Sequence, residues 1–151
     1  MKYTVLLGRI SYSLIFVFAS FGHFSQGTIA FAASQGVPFA SILVPLSGVM
    51  ALLGGLSIAF GYKAKWGGLL LVLFLVPVTT MLHNFWAVTD PMMAQMQQAM
   101  FMKNIAMLGG ALLISYFGAG PLSLDARAAA RSTLRNSVRS TSELTPERVS
   151  A

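Results

Sequence analysis

The feature that most constrains this chain is the near absence of charge over its long middle part. Within residues 10–120 only Lys63, Lys65, Asp90 and Lys103 are charged. Over all 151 residues, 9% are charged and 56% are hydrophobic, whereas a soluble domain averages about 25% charged residues. So few charged groups cannot cover a globular surface. The composition therefore indicates an integral membrane protein.

The apolar runs divide into four segments, each long enough to cross a hydrocarbon core of about 30 Å. We predict spans at about residues 4–26, 38–62, 66–87 and 98–118. The fold class is then all-α, an integral membrane four-helix bundle in residues 1–120, followed by a basic, Ser/Arg-rich tail in residues 121–151. The short uncharged segment 27–37 is typical of a brief helix that lies at the membrane interface.

The basic residues predict how the bundle is oriented. Lys2 and Arg9, the turn with Lys63 and Lys65, and the arginines of the tail fall on one side of the four predicted spans. The two loops on the other side carry no lysine or arginine. By the positive-inside rule both termini and the tail are cytoplasmic. We therefore expect a multi-pass protein of the cell inner (plasma) membrane, with the lipid bilayer as its first partner.

A weak internal repeat relates the two halves of the predicted bundle. His23-Phe24 ends the first span and His83-Asn84-Phe85 ends the third, while ALLGG in the second span corresponds to AMLGG in the fourth. This pattern predicts two helical hairpins related by an axis along the membrane normal.

Polar side chains gather near one predicted membrane face. The two histidines end spans that run in the same direction, so they lie at similar depth. Lys103 lies inside the outer leaflet, because the apolar run after it is only about 20 Å long, and an intramembrane lysine needs an acceptor. The candidate ligand-binding residues are His23, His83, Asn84, Trp86, Lys103 and Asn104. We predict that they line one outward-facing pocket, which receives a quinone-like ring or an equivalent apolar ligand with carbonyl oxygens.

Simpler interpretations of these residues stay open. Lys103 can extend to the headgroups as a snorkelling side chain, and the two histidines can be ordinary interfacial residues held by hydrogen bonds. Haem is disfavoured because both histidines lie near the mouth of the bundle. The methionines near the start of the fourth helix could bind copper(I) through their thioethers. An adaptable apolar surface is the favoured interpretation.

The sequence also excludes several classes of function. It has no cysteine, which excludes thiol redox relays and iron–sulfur ligation by this chain. It shows no phosphate-binding loop, no dinucleotide fingerprint and no nucleophilic triad. We assign no metal site, no catalytic residue and no cofactor other than a quinone. The net charge of +6 fits the orientation signal better than it fits nucleic acid.

One ion pair is predicted at the cytoplasmic face. Arg9 lies shallow in the first helix, and Asp125 follows the fourth helix on the same side. We expect the two charged groups to lie close enough to pair. Removing one member of a buried pair leaves an uncompensated charge, which is costly.

An ordered set of short motifs resembles the DoxX family of small four-helix membrane proteins. The motifs are Gly8-Arg9, Gly22-His23, the second-helix run SGVMALLGGLSIAFG, the HNFW end of the third helix and the fourth helix KNIAMLGGALLISYFGAG followed by Ser123-Leu124-Asp125. The resemblance covers residues 4–126. It implies a four-helix bundle associated with membrane redox systems. It also implies a glutamate in the second helix, where this chain has Ala51.

The resemblance and the polar residues together predict a function. The chain has no redox centre of its own, so electrons would have to come from a protein partner in a membrane complex. We therefore expect an accessory subunit of a quinone-linked membrane redox system rather than a self-sufficient oxidoreductase. The alternative is a non-catalytic membrane protein that assembles or stabilises another protein, or that binds a small apolar solute.

Overall fold

The computed structural model describes residues 1–143 and is helical throughout, with no strand in that range. The helices are α1 (Lys2–Gly22), α2 (Gln26–Ser34), α3 (Ala40–Phe60), α4 (Ala64–Leu82), the short 3₁₀ helix η1 (Phe85–Ala87), α5 (Pro91–Phe117) and α6 (Leu124–Glu143). Four of them, α1, α3, α4 and α5, are long and apolar enough to cross a membrane. The all-α class predicted from composition is therefore confirmed. The last eight residues of the predicted tail, 144–151, lie outside the described range.

The two halves of the bundle repeat one order of elements. In each half a long helix ends at a histidine, a short helical segment follows, and a second long helix runs back: α1, α2 and α3, then α4, η1 and α5. We call the end where α1 and α4 finish the pocket end. The opposite end, from which α6 leaves, is the tail end.

The spanning helices pack in series, α1 on α3, α3 on α4 and α4 on α5. Glycines bring neighbouring helices close together. A Cβ added at Gly54 of α3 would lie 2.6 Å from the Leu71 side chain of α4. A Cβ added at Gly68 of α4 would lie 2.9 Å from the Ala111 carbonyl of α5. Small residues matter at such contacts because lipid gives helices no hydrophobic drive to associate. The central core cluster comprises Phe16, Ala51, Ile58, Leu71, Phe74, Leu75 and Ala111.

The first and last spanning helices meet through one aromatic side chain. The Tyr12 hydroxyl of α1 donates to the Met107 carbonyl of α5 at 2.6 Å. Its ring lies over Gly110, where an added Cβ would come within 2.6 Å of it. The backbones of α1 and α5 approach each other closely at few points in residues 1–143. The Tyr12 ring therefore sets the distance between these two helices.

At the tail end, Arg9 ties α1 to the segment that joins α5 to α6. The Arg9 side chain is only 6% exposed. Its guanidinium donates to the Ala119 carbonyl at 2.7 Å and to the Leu122 carbonyl at 3.0 Å. Its Nε atom is buried without a hydrogen-bond partner among the described residues. These contacts fix a loop about 110 positions away in sequence.

Asp125 secures the same region from the other side. Its carboxylate accepts from the N–H groups of Lys63 at 2.8 Å and Ala64 at 3.0 Å, so it caps the start of α4 from a distant part of the chain. Its own N–H donates to the Gly61 carbonyl at 2.8 Å. Among the described residues, Arg9 and Asp125 direct the hydrogen bonds given above to main-chain groups; their direct pairing stays a prediction.

Candidate functional site

A largely apolar cavity of about 340 Å³ lies at the pocket end, between α2, α3 and α4. Its size falls within the range of about 300–1,000 Å³ typical of small-molecule sites. The lining residues are His23, Thr28, Ala32, Val37, Pro38, Leu43, Val44, Leu46, Ser47, Met50, Leu73, Phe74, Pro77, Val78, Met81 and Leu82. None of these residues is charged, and only three have polar side chains. The cavity therefore suits an apolar molecule with little polar surface.

The short helix α2 forms the roof of this cavity. Ser25 caps the helix, because its hydroxyl oxygen accepts from the Thr28 N–H at 3.2 Å. Gly36 then turns the chain back with φ at +82°, a conformation that glycine adopts at little cost. The fully buried Ala32 packs with Ala40 and Val44 of α3. This contact holds α2 against α3 and encloses the space beneath it.

His23 and Ser47 supply the polar end of the cavity. His23 Nδ1 lies 2.8 Å from Ser47 Oγ, and the Ser47 hydroxyl donates to the Val44 carbonyl at 2.7 Å. Because a serine hydroxyl has a single proton, we assign Nδ1 as the donor to Ser47. In a neutral imidazole the Nε2 atom of His23 is then a free acceptor.

The surroundings of His23 favour this neutral form. The cavity lining contains no charged side chain that could stabilise an imidazolium. The ring packs on Phe74, with 5.6 Å between centroids. Gly48 permits this position, because a Cβ there would lie 2.7 Å from the His23 Cβ. At neutral pH the cavity therefore contains an uncharged acceptor.

A proline in the cavity wall leaves a main-chain carbonyl without its usual helical donor. In an α-helix the Leu73 carbonyl would accept from the N–H of residue 77, but Pro77 has none. Both residues line the cavity and both lie in a helix that can cross the membrane. A carbonyl without a donor is costly in hydrocarbon. The Leu73 carbonyl is therefore a candidate acceptor for a hydroxyl or amide group placed inside the cavity.

Of the six predicted ligand-binding residues, only His23 lines this cavity. His83 Nδ1 lies 2.8 Å from Gln97 Oε1 of α5. Asn84 precedes η1 as its N-terminal flanking residue. Trp86 is 62% exposed and forms an edge-to-face aromatic cluster with Phe85 and Phe101.

The remaining two predicted residues are adjacent on α5 and differ in surroundings. Lys103 is exposed, whereas Asn104 is only 4% exposed. The structure therefore distributes the six side chains over several environments at the pocket end. The sequence analysis did not identify Ser47, Thr28 or α2 as parts of a site. Ser47 is one of three serines in the otherwise apolar α3, so its hydroxyl gave only a weak signal.

No three histidine, cysteine, aspartate or glutamate side chains within residues 1–143 come together in a way that could hold a metal ion. The polar groups of the cavity are an imidazole, two hydroxyls and a main-chain carbonyl. Such a set can hold a hydrogen-bonding group, but it offers no charge to balance a carboxylate or a phosphate.

Comparison with known proteins decides the family. The SURF4 family matches residues 1–129. The chain belongs to the SURF4 family. It is similar to the inner membrane protein YqjF of Escherichia coli, with 30% identity over 123 residues that cover 80% of this chain and 88% of YqjF. It is also similar to the inner membrane protein YphA of the same organism, with 26% identity over 125 residues that cover 82% and 89% of the two chains.

A more distant similarity links this SURF4-family chain to a yeast protein. The ER-derived vesicles protein ERV29 of Saccharomyces cerevisiae is 32% identical over 77 residues, which cover 51% of this chain and 24% of ERV29. No solved structure matches the chain.

The resemblance to the DoxX family is therefore wrong, and so is the accessory role in a quinone-linked redox system that it implied. The motifs that carried the resemblance are small-residue contacts between helices, such as Gly54, Gly55 and Gly110, and polar residues at helix ends. Any compact four-helix membrane bundle needs residues of this kind. Such motifs indicate an architecture and do not identify a family.

Proposed function

We propose that this SURF4-family protein binds a lipid-like molecule, an apolar chain with an uncharged hydroxyl or amide donor, in the cavity beneath α2. The observation that carries the proposal is the pairing of an apolar cavity with two hydrogen-bond acceptors, His23 Nε2 and the Leu73 carbonyl. A buried acceptor favours a ligand that donates to it. With no cation in the lining, an ionised fatty acid would be a poor ligand.

The rim of the cavity supports entry from the bilayer. Leu46 is 49% exposed and Leu73 is 64% exposed, and both belong to helices long and apolar enough to span the membrane. Exposed leucines in such helices face lipid. An amphiphile dissolved in the bilayer can therefore reach the cavity sideways, while its polar end stays at the level of His23.

The test uses a long-chain alcohol with a photoactivatable diazirine on its chain, added to the protein in lipid nanodiscs. We expect labelling of cavity-lining peptides that unlabelled alcohol competes away and the corresponding alkane does not. The His23→Phe variant keeps a ring against Phe74 and loses the acceptor. It should bind the alcohol about three- to tenfold more weakly, which corresponds to one hydrogen bond.

His83→Phe is the matched control, because His83 also ends a spanning helix and also bonds a polar side chain through Nδ1. It should bind the alcohol like the wild type. Leu46→Trp should block the cavity and abolish specific labelling. Equal affinity of the two histidine variants, or labelling spread evenly over lipid-facing residues, would contradict the proposal.

We also propose that both termini are cytoplasmic, as the distribution of lysine and arginine predicts. Because the natural sequence has no cysteine, single cysteines report position without background. Thr89→Cys at the pocket end should react with an impermeant maleimide on intact cells, and Ser140→Cys in α6 should react only after the cells are opened. The reverse pattern would invert the orientation.

A further inference from the structure

The helix α6 presents two chemically different faces. At 100° per residue, four arginines fall on one stripe, and two large apolar residues fall between them. We call this stripe the arginine face; it comprises Arg127, Arg131, Leu134, Arg135, Val138 and Arg139. The opposite face carries small polar residues, namely Thr133, Asn136 and Ser140.

The apolar residues of the arginine face are not covered by the bundle. Leu134 is 66% exposed and Val138 is 69% exposed, and every described side chain from Ala126 to Thr141 is exposed. A helix of about 20 residues without tertiary packing is marginal in water. Alternating arginine and aliphatic side chains are typical of helices that lie at a membrane surface, with apolar groups inserted and guanidinium groups at the headgroups.

The tail end fixes where this helix begins. Ser123 Oγ accepts from the Ala126 N–H at 3.1 Å and so caps the first turn of α6. Asp125 is bound to the start of α4, and Arg9 holds the preceding loop through Leu122. Since α5 ends at Phe117 and α6 starts at Leu124, the helix starts beside the end of a membrane-spanning helix. Its arginines are therefore held near the headgroups, at high effective concentration.

We propose that the arginine face of α6 binds the anionic lipid headgroups at the tail end of the bundle and lays the helix on that surface, with Leu134 and Val138 inserted between the lipids. Charge complementarity decides the partner. The face is cationic along its whole length, and anionic headgroups are the nearest abundant surface of opposite sign. Attraction between basic residues and such a surface decays within a Debye length of about 10 Å. The tether keeps the first turn of α6, with Arg127, within that distance, and the attraction then draws the rest of the helix down.

The experiment places an environment-sensitive fluorophore on single cysteines in the otherwise cysteine-free full chain. Val138→Cys reports on the arginine face and Thr133→Cys on the opposite face, in nanodiscs of phosphatidylcholine with or without phosphatidylglycerol. With phosphatidylglycerol present, we expect the dye at position 138 to be about threefold less accessible to aqueous iodide than the dye at position 133. High salt should reduce this difference.

A variant with the same amino-acid composition tests whether the position of the arginines on one face matters, or only their total positive charge. Exchanging Arg131→Thr with Thr133→Arg, and Arg135→Asn with Asn136→Arg, moves two arginines to the opposite face without changing the net charge. We expect this variant to lose the protection of position 138, while the thermal stability of the bundle stays the same. Unchanged protection in this variant, or equal protection in nanodiscs of phosphatidylcholine alone, would overturn the proposal.

Discussion

Replacing Gly61 by alanine is expected to destabilise the protein by about 3 kcal/mol. Gly61 ends α3 with φ at +64°, a left-handed conformation that costs an L-residue about 1–2 kcal/mol. The added Cβ would also overlap Ser123, and it would lie 2.9 Å from the Ala119 Cβ and 3.1 Å from Arg9 Nη1. The side chain has no room to move, because three separate segments meet there.

The stability of the Gly61→Ala variant can be measured as the midpoint of thermal unfolding in detergent micelles. Gly109→Ala is the control, since no atom lies within 4 Å of the added Cβ and the residue is in the interior of α5. That change should be neutral or stabilising by up to about 1 kcal/mol. If the two variants had similar midpoints, the tail end would be more adaptable than its contacts indicate.

The second large effect is expected at Asp125. Asp125→Ala removes the acceptor of the Lys63 and Ala64 N–H groups at the start of α4. A partly buried donor left without an acceptor costs about 1–3 kcal/mol, so we expect a loss of about 3 kcal/mol in total. The same unfolding measurement applies.

Asp90→Ala is the control for Asp125→Ala. Asp90 also caps a helix, but it is exposed and accepts a single local bond from the Met93 N–H at 2.8 Å. Loss of such a cap costs about 1 kcal/mol. A larger effect at Asp90 than at Asp125 would show that the distant cap contributes little.

The predicted ion pair can be separated from the cap by a double-mutant cycle with Arg9→Met. If the charges of Arg9 and Asp125 stabilise each other, the double variant should lose less stability than the two single losses added together. If the two losses of stability add exactly, the two charges do not stabilise each other, and each residue contributes only through its main-chain hydrogen bonds. Asp125→Asn refines the cycle, because an amide keeps one acceptor and removes the charge.

The helices could be predicted because their signals are local. Sparse charge and long apolar runs indicated the spanning helices, and the sequence also predicted a short helix after the first of them, which the structure places at Gln26–Ser34. The start of α5 follows an equally local signal, since Asp90 caps the helix and Pro91 is in its first turn. Capping chemistry and apolar length depend on a few neighbouring residues.

The site could be predicted only in part because it depends on how each helix is rotated about its axis. His23 and His83 have equivalent places in the sequence, yet His23 bonds Ser47 of α3 and His83 bonds Gln97 of α5. Only His23 meets the cavity under α2. The packing of Ala32 on Val44 creates that cavity, and such a contact between apolar residues leaves no distinctive motif in the sequence.

The single-ring contact of Tyr12 also determines where the bundle can open. Three of its four helix seams rest on broad backbone contact, whereas the backbones of α1 and α5 approach closely at few points, and the Tyr12 ring with its hydrogen bond is one of the contacts that join them. Local opening in proteins follows the least-packed boundary. Thermal fluctuations should therefore part α1 from α5 before they loosen α3 from α4, and amide exchange should be fastest along that line. We therefore expect the α1–α5 side of the bundle, and not the α3–α4 side that lines the cavity under α2, to be its most dynamic one.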